Sequence, residues 1–469
     1  MARRRKKAGV GAVISVDRKY EGLGQAFTLE FFLRGLATNV QEELREIGHC
    51  VELIAFPDLK YGWVKIPGDT NLGLSFGRIN NRISPIKKMF GWQGNTLFIY
   101  DMIEKTYKRI SFNSNIVFAD AINDIVSYAI LSNGKIVRIV NDQIDREYNY
   151  SGTVGEIYRG RLFIASGRTL YFSSPQIADP SFTSDPFANE NGGGWIVLTY
   201  PHVNKIVDLR VLNDMLYIFT DNGLYFLSSA MTSNLPSSFY LSETGLRWSF
   251  ENCKILTIYK RCMVVSPMGL YELVGMNLEK KSLLVDDLFP QLNTQRAGLH
   301  YYKEQNFLTI PYAEIEKSLC YSFEYDLFFH LPFRVTDGVF SVNQKSFGLT
   351  NGQLREYYSD HSFYHDFVAK TVYHNLGVDK FKYLREIQIR ATKRCRVYVF
   401  YDGYALEQGS VSMSQFYGDL WFYRNPFNRK GNKIAFYFVE NTTNQDFYLS
   451  LIRAKGHVLG DLNYFYLPL

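Results

Sequence analysis

Few residues in this chain have the types and spacing that chemistry requires. His361 and His365 stand four apart and are flanked by Asp360 and Asp366. On a helix both imidazoles would share one face, and two His with two Asp could hold a divalent cation. The run lacks a general-base Glu and falls near an expected domain boundary, so the plainer reading is a solvated linker, and no metal is expected. The usual phosphate-binding and metal-hydrolytic signatures are missing: no GxxxxGK followed by Ser or Thr, and no HExxH. The five cysteines, Cys50, Cys253, Cys262, Cys320 and Cys395, are odd in number and form no CxxC. That pattern excludes a disulfide scaffold, argues against structural zinc, and fits reduced thiols made in a cytosol. No cofactor is expected.

Charge is more informative by place than by amount. The chain nets +6, from 52 basic and 46 acidic residues. Arg3, Arg4, Arg5, Lys6 and Lys7 carry five of these charges, so the remainder is close to neutral. The body is therefore not a basic nucleic-acid-binding domain, and a grip on phosphate would come from that tail or from a local patch. These five residues are the candidates for contact with DNA or a neighbouring subunit; a solvated N-terminus is the bland alternative. No apolar run approaches the ~18 residues a spanning helix needs. The apolar stretch after the basic start ends at Asp17, Arg18 and Lys19, and no secretion signal is expected.

The elements that would position such residues are mostly β. Of 469 residues, 46% are hydrophobic and 16% aromatic, with 34 Tyr and 36 Phe, a composition that favours strands and contact surfaces. One phrase recurs: a short alternating strand, a turn ending in Gly, and a second strand. It spans 126–139, 161–173, 215–227, 262–273 and 346–357, with turn glycines Gly134, Gly167, Gly223, Gly269 and Gly352. Glycine supplies the positive φ of a tight hairpin, and alternation gives each hairpin one buried face. A sixth hairpin fits 307–312 and 319–325. A β unit recurring every ~40–50 residues predicts a β-propeller. The expectation is an all-β chain: an N-terminal arm over 1–60, a propeller of about six blades over 61–367, and an antiparallel β-sandwich over 368–469. Residues 25–47 carry the best helical signal, making the arm partly helical. Unrelated hairpins in a sandwich are the alternative. The Pro/Gly/Asn-rich stretch 179–196 is long for a blade connection and could carry contacts or simply be mobile.

The order of these phrases resembles a known family. GRLFIASGRTLYFSSPQIADPSF (160–182) looks like a phrase of tail proteins from short-tailed bacteriophages. It is followed, as there, by VLNDMLYIFTDNGLYFL (211–227), LSETGL (241–246) and PMGLYEL (267–273). The turns at 401–403 and 429–431, with strands 433–439 and 447–453, are similar to the sandwich that closes those proteins. The resemblance is to the tail hub, nozzle or tail stabilisation proteins of podoviruses, over roughly 90–455. It implies a non-enzymatic virion protein made in the host cytoplasm. Six copies would ring the axis below the portal and adaptor, extend the conduit for double-stranded DNA, help retain the genome, and anchor a needle or fibres. Two other readings stand beside it. One is a carbohydrate-active propeller, glycosidase or lectin, on a virion or cell surface; the other is a monomeric cellular scaffold that binds peptides.

Overall fold

Each recurring hairpin is the middle of a four-stranded sheet. The computed structural model describes residues 13–17, 25–31, 33–38, 49–58, 60, 62–80, 87–229, 239–340, 343–371, 373, 382–401, 414–417, 420–424 and 433–458. In blade II, for example, Ile116–Ala121, Val126–Leu131, Ile136–Val140 and Gln143–Tyr148 pair antiparallel in sequence order. Blades III (Val154–Tyr158 to Gly194–Val197), IV (Ile206–Leu212 to Phe239–Glu243) and V (Lys254–Ile258 to Asn277–Lys280) repeat the plan. The first strand of each faces the axis of the ring and the fourth faces outward. Middle strands are buried on both faces, because a sheet lies against each side. Val126–Leu131 is buried at every position, whereas the outer strand Gln143–Tyr148 is mostly exposed.

Seven such sheets surround the axis, one more than the hairpin count suggests. The additional sheet is blade I: Arg78–Ile79, Lys88–Gln93, Thr96–Asp101 and Thr106–Ser111. Blade VI runs from Gly298–Tyr302 to Leu327–Leu331. Blade VII takes three strands from the far end of the ring, Thr336–Phe340, Ser346–Thr350 and Gln353–Tyr364, and its fourth from the near end, Pro67–Ser75. This antiparallel pairing closes the circle. Asn71 Nδ2 donates to Gln353 Oε1 at 2.8 Å, and Arg355 meets Asp69 at 3.0 Å. Separate apolar layers fill the gaps between neighbours: Phe90, Leu97 and Val137 between blades I and II, Phe163, Leu209 and Ile218 between III and IV. Each fully buried side chain of this kind is worth about 1.5–3 kcal/mol.

The rest of the chain builds the sandwich, and segments from both ends of the chain contribute to it. Val13–Asp17 pairs with Gln25–Phe31, which pairs with Tyr448–Val458. Gln25–Phe31 is thus a strand where the sequence suggests a helix; its alternating Phe27, Leu29 and Phe31 suit strand spacing equally. Residues 39–48, the rest of the expected helical region, lie outside the described residues. So do Arg3–Lys7. The second sheet of the sandwich is continuous with blade VI. Its outer strand Leu327–Leu331 bridges to Cys50–Ile54, which pairs in turn with Phe367–Thr371, Ile434–Glu440 and Arg396–Tyr401. One hydrophobic core runs from blade V through blades VI and VII into both sandwich sheets.

Candidate functional site: a charged cavity on the propeller axis

First strands of the blades converge on the ring axis, and there three of them depart from regular pairing. Register shifts fall between Ile116 and Phe118, between Ile206 and Asp208, and between Thr336 and Val339. Each inserts one residue more than its partner strand, the geometry of a β-bulge, which re-aims side chains. In blade VII the bulge holds Asp337 at φ 54°, a left-handed conformation that Asp tolerates better than most residues. Gly338 follows it, where any Cβ would strike the His300 ring.

The blade II and blade IV bulges line a cavity of ≈ 440 Å³. Its polar lining includes Arg78 from blade I, Asp208 and Arg210 from blade IV, Glu251 and Lys254 at the start of blade V, and Gln295 ahead of blade VI. Asp337 is buried beside it, 1% exposed. Its carboxylate meets Arg296 at 2.9 Å and Arg78 at 3.6 Å, and accepts the Ile79 N–H at 3.4 Å. Burial pushes the Asp337 carboxyl up, against the pull of Arg296, Lys254 and Arg78. Asp208 pairs with Arg210 at 2.9 Å, and Arg210 also donates to the Ile255 carbonyl at 2.7 Å. Glu251 pairs with Lys205 at the rim.

Lys254 differs from these. Among the described residues its ammonium has neither an ion-pair partner within 4 Å nor a hydrogen bond. Burial pushes its pKa down to about 8, with Arg210 and Arg78 acting in the same direction and Asp337 and Asp208 opposing. The cavity and its rim therefore hold three engaged carboxylates, Asp208, Glu251 and Asp337, with Lys254 and Arg78 as the less engaged cations. Among the described residues the cavity shows no free carboxylate pair of the kind glycoside hydrolysis uses.

The residues singled out in the sequence are elsewhere. Asp360–Tyr364 is extended chain within Gln353–Tyr364, not helix. The Asp360 carboxylate accepts from the Ser362 N–H and hydroxyl, and the His365 ring packs on Phe333 at 5.1 Å. Among the described residues no three His, Cys, Asp or Glu side chains cluster as metal ligands would. All five cysteines are free and buried. The 179–196 stretch is an insertion between the last two strands of blade III, and it folds back onto blade II. Ile177 and Phe187 pack with Tyr128 and Tyr148, while Arg138 donates to the carbonyls of Asp179 and Phe182. Arg161, from the family-like phrase, donates to the carbonyls of Ser173 and Gly192 and so pins both ends of the same insertion. The axial charges were missed because they lie far apart in sequence. Some share a signal: Asp208, Arg210 and Lys254 interrupt or open an otherwise apolar first strand, in Ile206–Leu212 and Lys254–Ile258.

Among the described residues no helix is long and apolar enough to cross a membrane. No protein-family model and no curated protein matches the chain. Similar solved structures include the β-propellers of a streptogramin B lyase (8% identity, 62% of this chain and 96% of that one, TM-score 0.44) and BamB from Moraxella catarrhalis (11% identity, 70% and 97%, TM-score 0.37). These likenesses concern the fold alone, and the fold does not decide between catalysis and a structural role.

Proposed function

We propose that this chain is a non-catalytic structural protein of a short-tailed phage tail, a hub or nozzle subunit. In this reading six copies form a ring below the portal and adaptor, through which double-stranded DNA passes, and the ring carries a needle or fibres. The observation that carries the reading is the shared sheet. Blade VI and the sandwich are joined by continuous backbone pairing and one core, so propeller and sandwich act as a single stiff body. Stiffness suits a subunit that must hold a channel open under load. The ordered phage-like phrases supply the context, and their residues serve the architecture: Arg161 and Ser173 fix the blade III insertion. A near-neutral body suits passage of DNA, since strong phosphate contacts would slow it. Arg3–Lys7 are assigned to the DNA lumen or a neighbouring subunit.

Light scattering and negative-stain imaging of the purified chain, alone and with candidate adaptor rings, test this. Six chains of 54.3 kDa give a particle of about 326 kDa with a central hole. A persistent monomer with adaptor rings present would overturn the proposal and favour the carbohydrate-active reading, to be followed by a glycan-binding screen. Removing residues 2–7 should impair ring assembly or genome retention; full retention of both would end the role given to the basic tail.

A further inference from the structure

We propose that the axial cavity of the propeller is a binding site for a small phosphate-bearing anion, held between Lys254 and Arg78. The inference is independent of the tail reading, because it concerns a cavity enclosed within one chain.

Size sets the ligand class first. A cavity of ≈ 440 Å³ falls within the range of small-molecule sites, about 300–1,000 Å³, and is far too small for a nucleic-acid duplex. Charge then sets its sign. Of the cations around the cavity, Arg210 is spent on Asp208 and the Ile255 carbonyl, Arg296 on Asp337, and Lys205 on Glu251. Lys254 is left without a partner among the described residues. Arg78, 44% exposed at the mouth, reaches Asp337 only at 3.6 Å and the Gln295 carbonyl at 3.3 Å. Lys254 is half-buried in the cavity lining, and an ammonium there with no protein partner is open to an arriving anion. Two under-used cations facing one space suit a doubly charged oxyanion better than a single carboxylate. Apolar neighbours such as Ile79, Trp92, Val117 and Phe118 lower the local dielectric and strengthen the attraction.

Construction of the site supports a dedicated role. Irregular pairing in three first strands brings the charged segments to one level, and bulges of this kind concentrate near functional sites. Asp337 then acts as a positioning residue. Its carboxylate fixes Arg296 and biases Arg78.

Proton linkage gives the test a signature. With its pKa near 8, Lys254 is partly neutral in mildly basic solution, and an arriving dianion recruits the missing proton. The charged groups that face it are Asp337 from blade VII, Asp208 and Arg210 from blade IV, Arg78 from blade I and Glu251 from its own segment. Isothermal titration of the full chain with inorganic phosphate, at constant ionic strength against chloride, should show one site per chain. Affinity should fall about tenfold between pH 7.5 and pH 9. Near pH 8 the observed heat should differ between buffers of different ionisation enthalpy. Lys254→Gln and Arg78→Gln should each weaken binding at least tenfold, Lys254→Gln should also abolish the pH dependence, and Lys108→Gln on the outer strand of blade I should change neither. Absence of phosphate binding at tens of millimolar, acetate binding as tight as phosphate, or unchanged binding by Lys254→Gln would each overturn the assignment. Since binding needs no ring, a chain that stays monomeric with adaptor rings present yet binds phosphate would refute the tail reading while sustaining this one.

Discussion

Lys65 and Glu440 form an ion pair of 2.7 Å where the closing strand of the propeller leaves the sandwich, with the Lys65 side chain fully buried. Neither charge is left to a single partner. Lys65 also donates to the Thr442 carbonyl at 2.6 Å, and Glu440 accepts the Thr442 N–H at 3.0 Å and pairs with Lys393 at 3.2 Å. Burial pushes the Glu440 carboxyl up, but hydrogen bonds from Lys65 and Thr442 outweigh it and hold the pKa below the usual range. A pair of this kind contributes little net stability against an apolar replacement, whereas half of it is harmful. Glu440→Leu should therefore cost about 3–5 kcal/mol in urea unfolding. The double change Lys65→Met with Glu440→Leu should cost clearly less than the single one. A double variant as unstable as Glu440→Leu would mean the loss comes from packing rather than from a stranded ammonium. A second strict position lies between blades VI and VII, where Gly298 and Gly338 meet so closely that a Cβ on Gly298 would stand 2.0 Å from the Gly338 nitrogen. Nothing larger than hydrogen fits there.

The blade III insertion shows how one side chain can order an element. Arg138 is 1% exposed, pairs with Asp145 at 3.0 Å, and donates to the Phe182 carbonyl at 2.7 Å and to that of Asp179. Arg138→Met removes charge-assisted bonds worth about 1.5–3 kcal/mol each before compensation. Limited proteolysis should then cut within 179–196 at least tenfold faster than in the wild type. An unchanged cleavage rate would show that Arg161 and the apolar contacts of Ile177 and Phe187 hold the insertion without Arg138. Elements of this protein were legible in proportion to how local their signals are. Middle hairpins announce themselves through two apolar runs, joined by a turn Gly in five of the six that were found; the sixth, 307–312 with 319–325, was found from its runs alone. Blade I was missed although Gly94, at a positive φ of 57°, joins two such runs; lack of a preceding Asn does not explain it, since Gly167 and Gly269 lack one too. Outer strands such as Thr106–Ser111, exposed at five of six positions, carry no apolar pattern. The single buried face expected of each hairpin is in fact two, because blades stack on both sides. Ring closure by Pro67–Ser75 joins residues about 280 apart, and nothing local marks either partner. For the same reason the axial charges could not be grouped from the sequence.

A closed ring whose last blades share their core with a sandwich should respond to acid as one unit, and two histidines inside that core set where the response begins. His300 lies fully buried, stacked on Phe307, with no hydrogen-bond partner for either ring nitrogen. His330 accepts or donates one bond, at 2.8 Å, with the Tyr312 hydroxyl. Burial lowers the pKa of each to about 3; Lys317 adds to the effect at His330. In the unfolded chain both titrate near 6.5. Below that pH the unfolded state binds protons that the native state refuses, so stability falls as pH falls, and the loss continues down to about pH 3. Each histidine contributes a slope of about 1.4 kcal/mol per pH unit, hence roughly 4 kcal/mol for the pair between pH 7 and 5. The depressed carboxyl of Glu440 acts only lower, below its unfolded value near 4.5, and so leaves this window to the histidines. Burial also depresses His49, to about 4, and His365, so urea unfolding at half-unit steps from pH 8 to 5 should show flat stability above about 7 and a slope of about three protons or more below 6. In His300→Gln the slope should drop by one proton even though the variant starts less stable. Because blades V to VII and the sandwich share one core, fluorescence and circular dichroism should report the same midpoint throughout. A stability that stayed level from pH 7 to 5 would mean that water or a partner group reaches these rings, and that the seam between propeller and sandwich is less tightly closed than their common core implies.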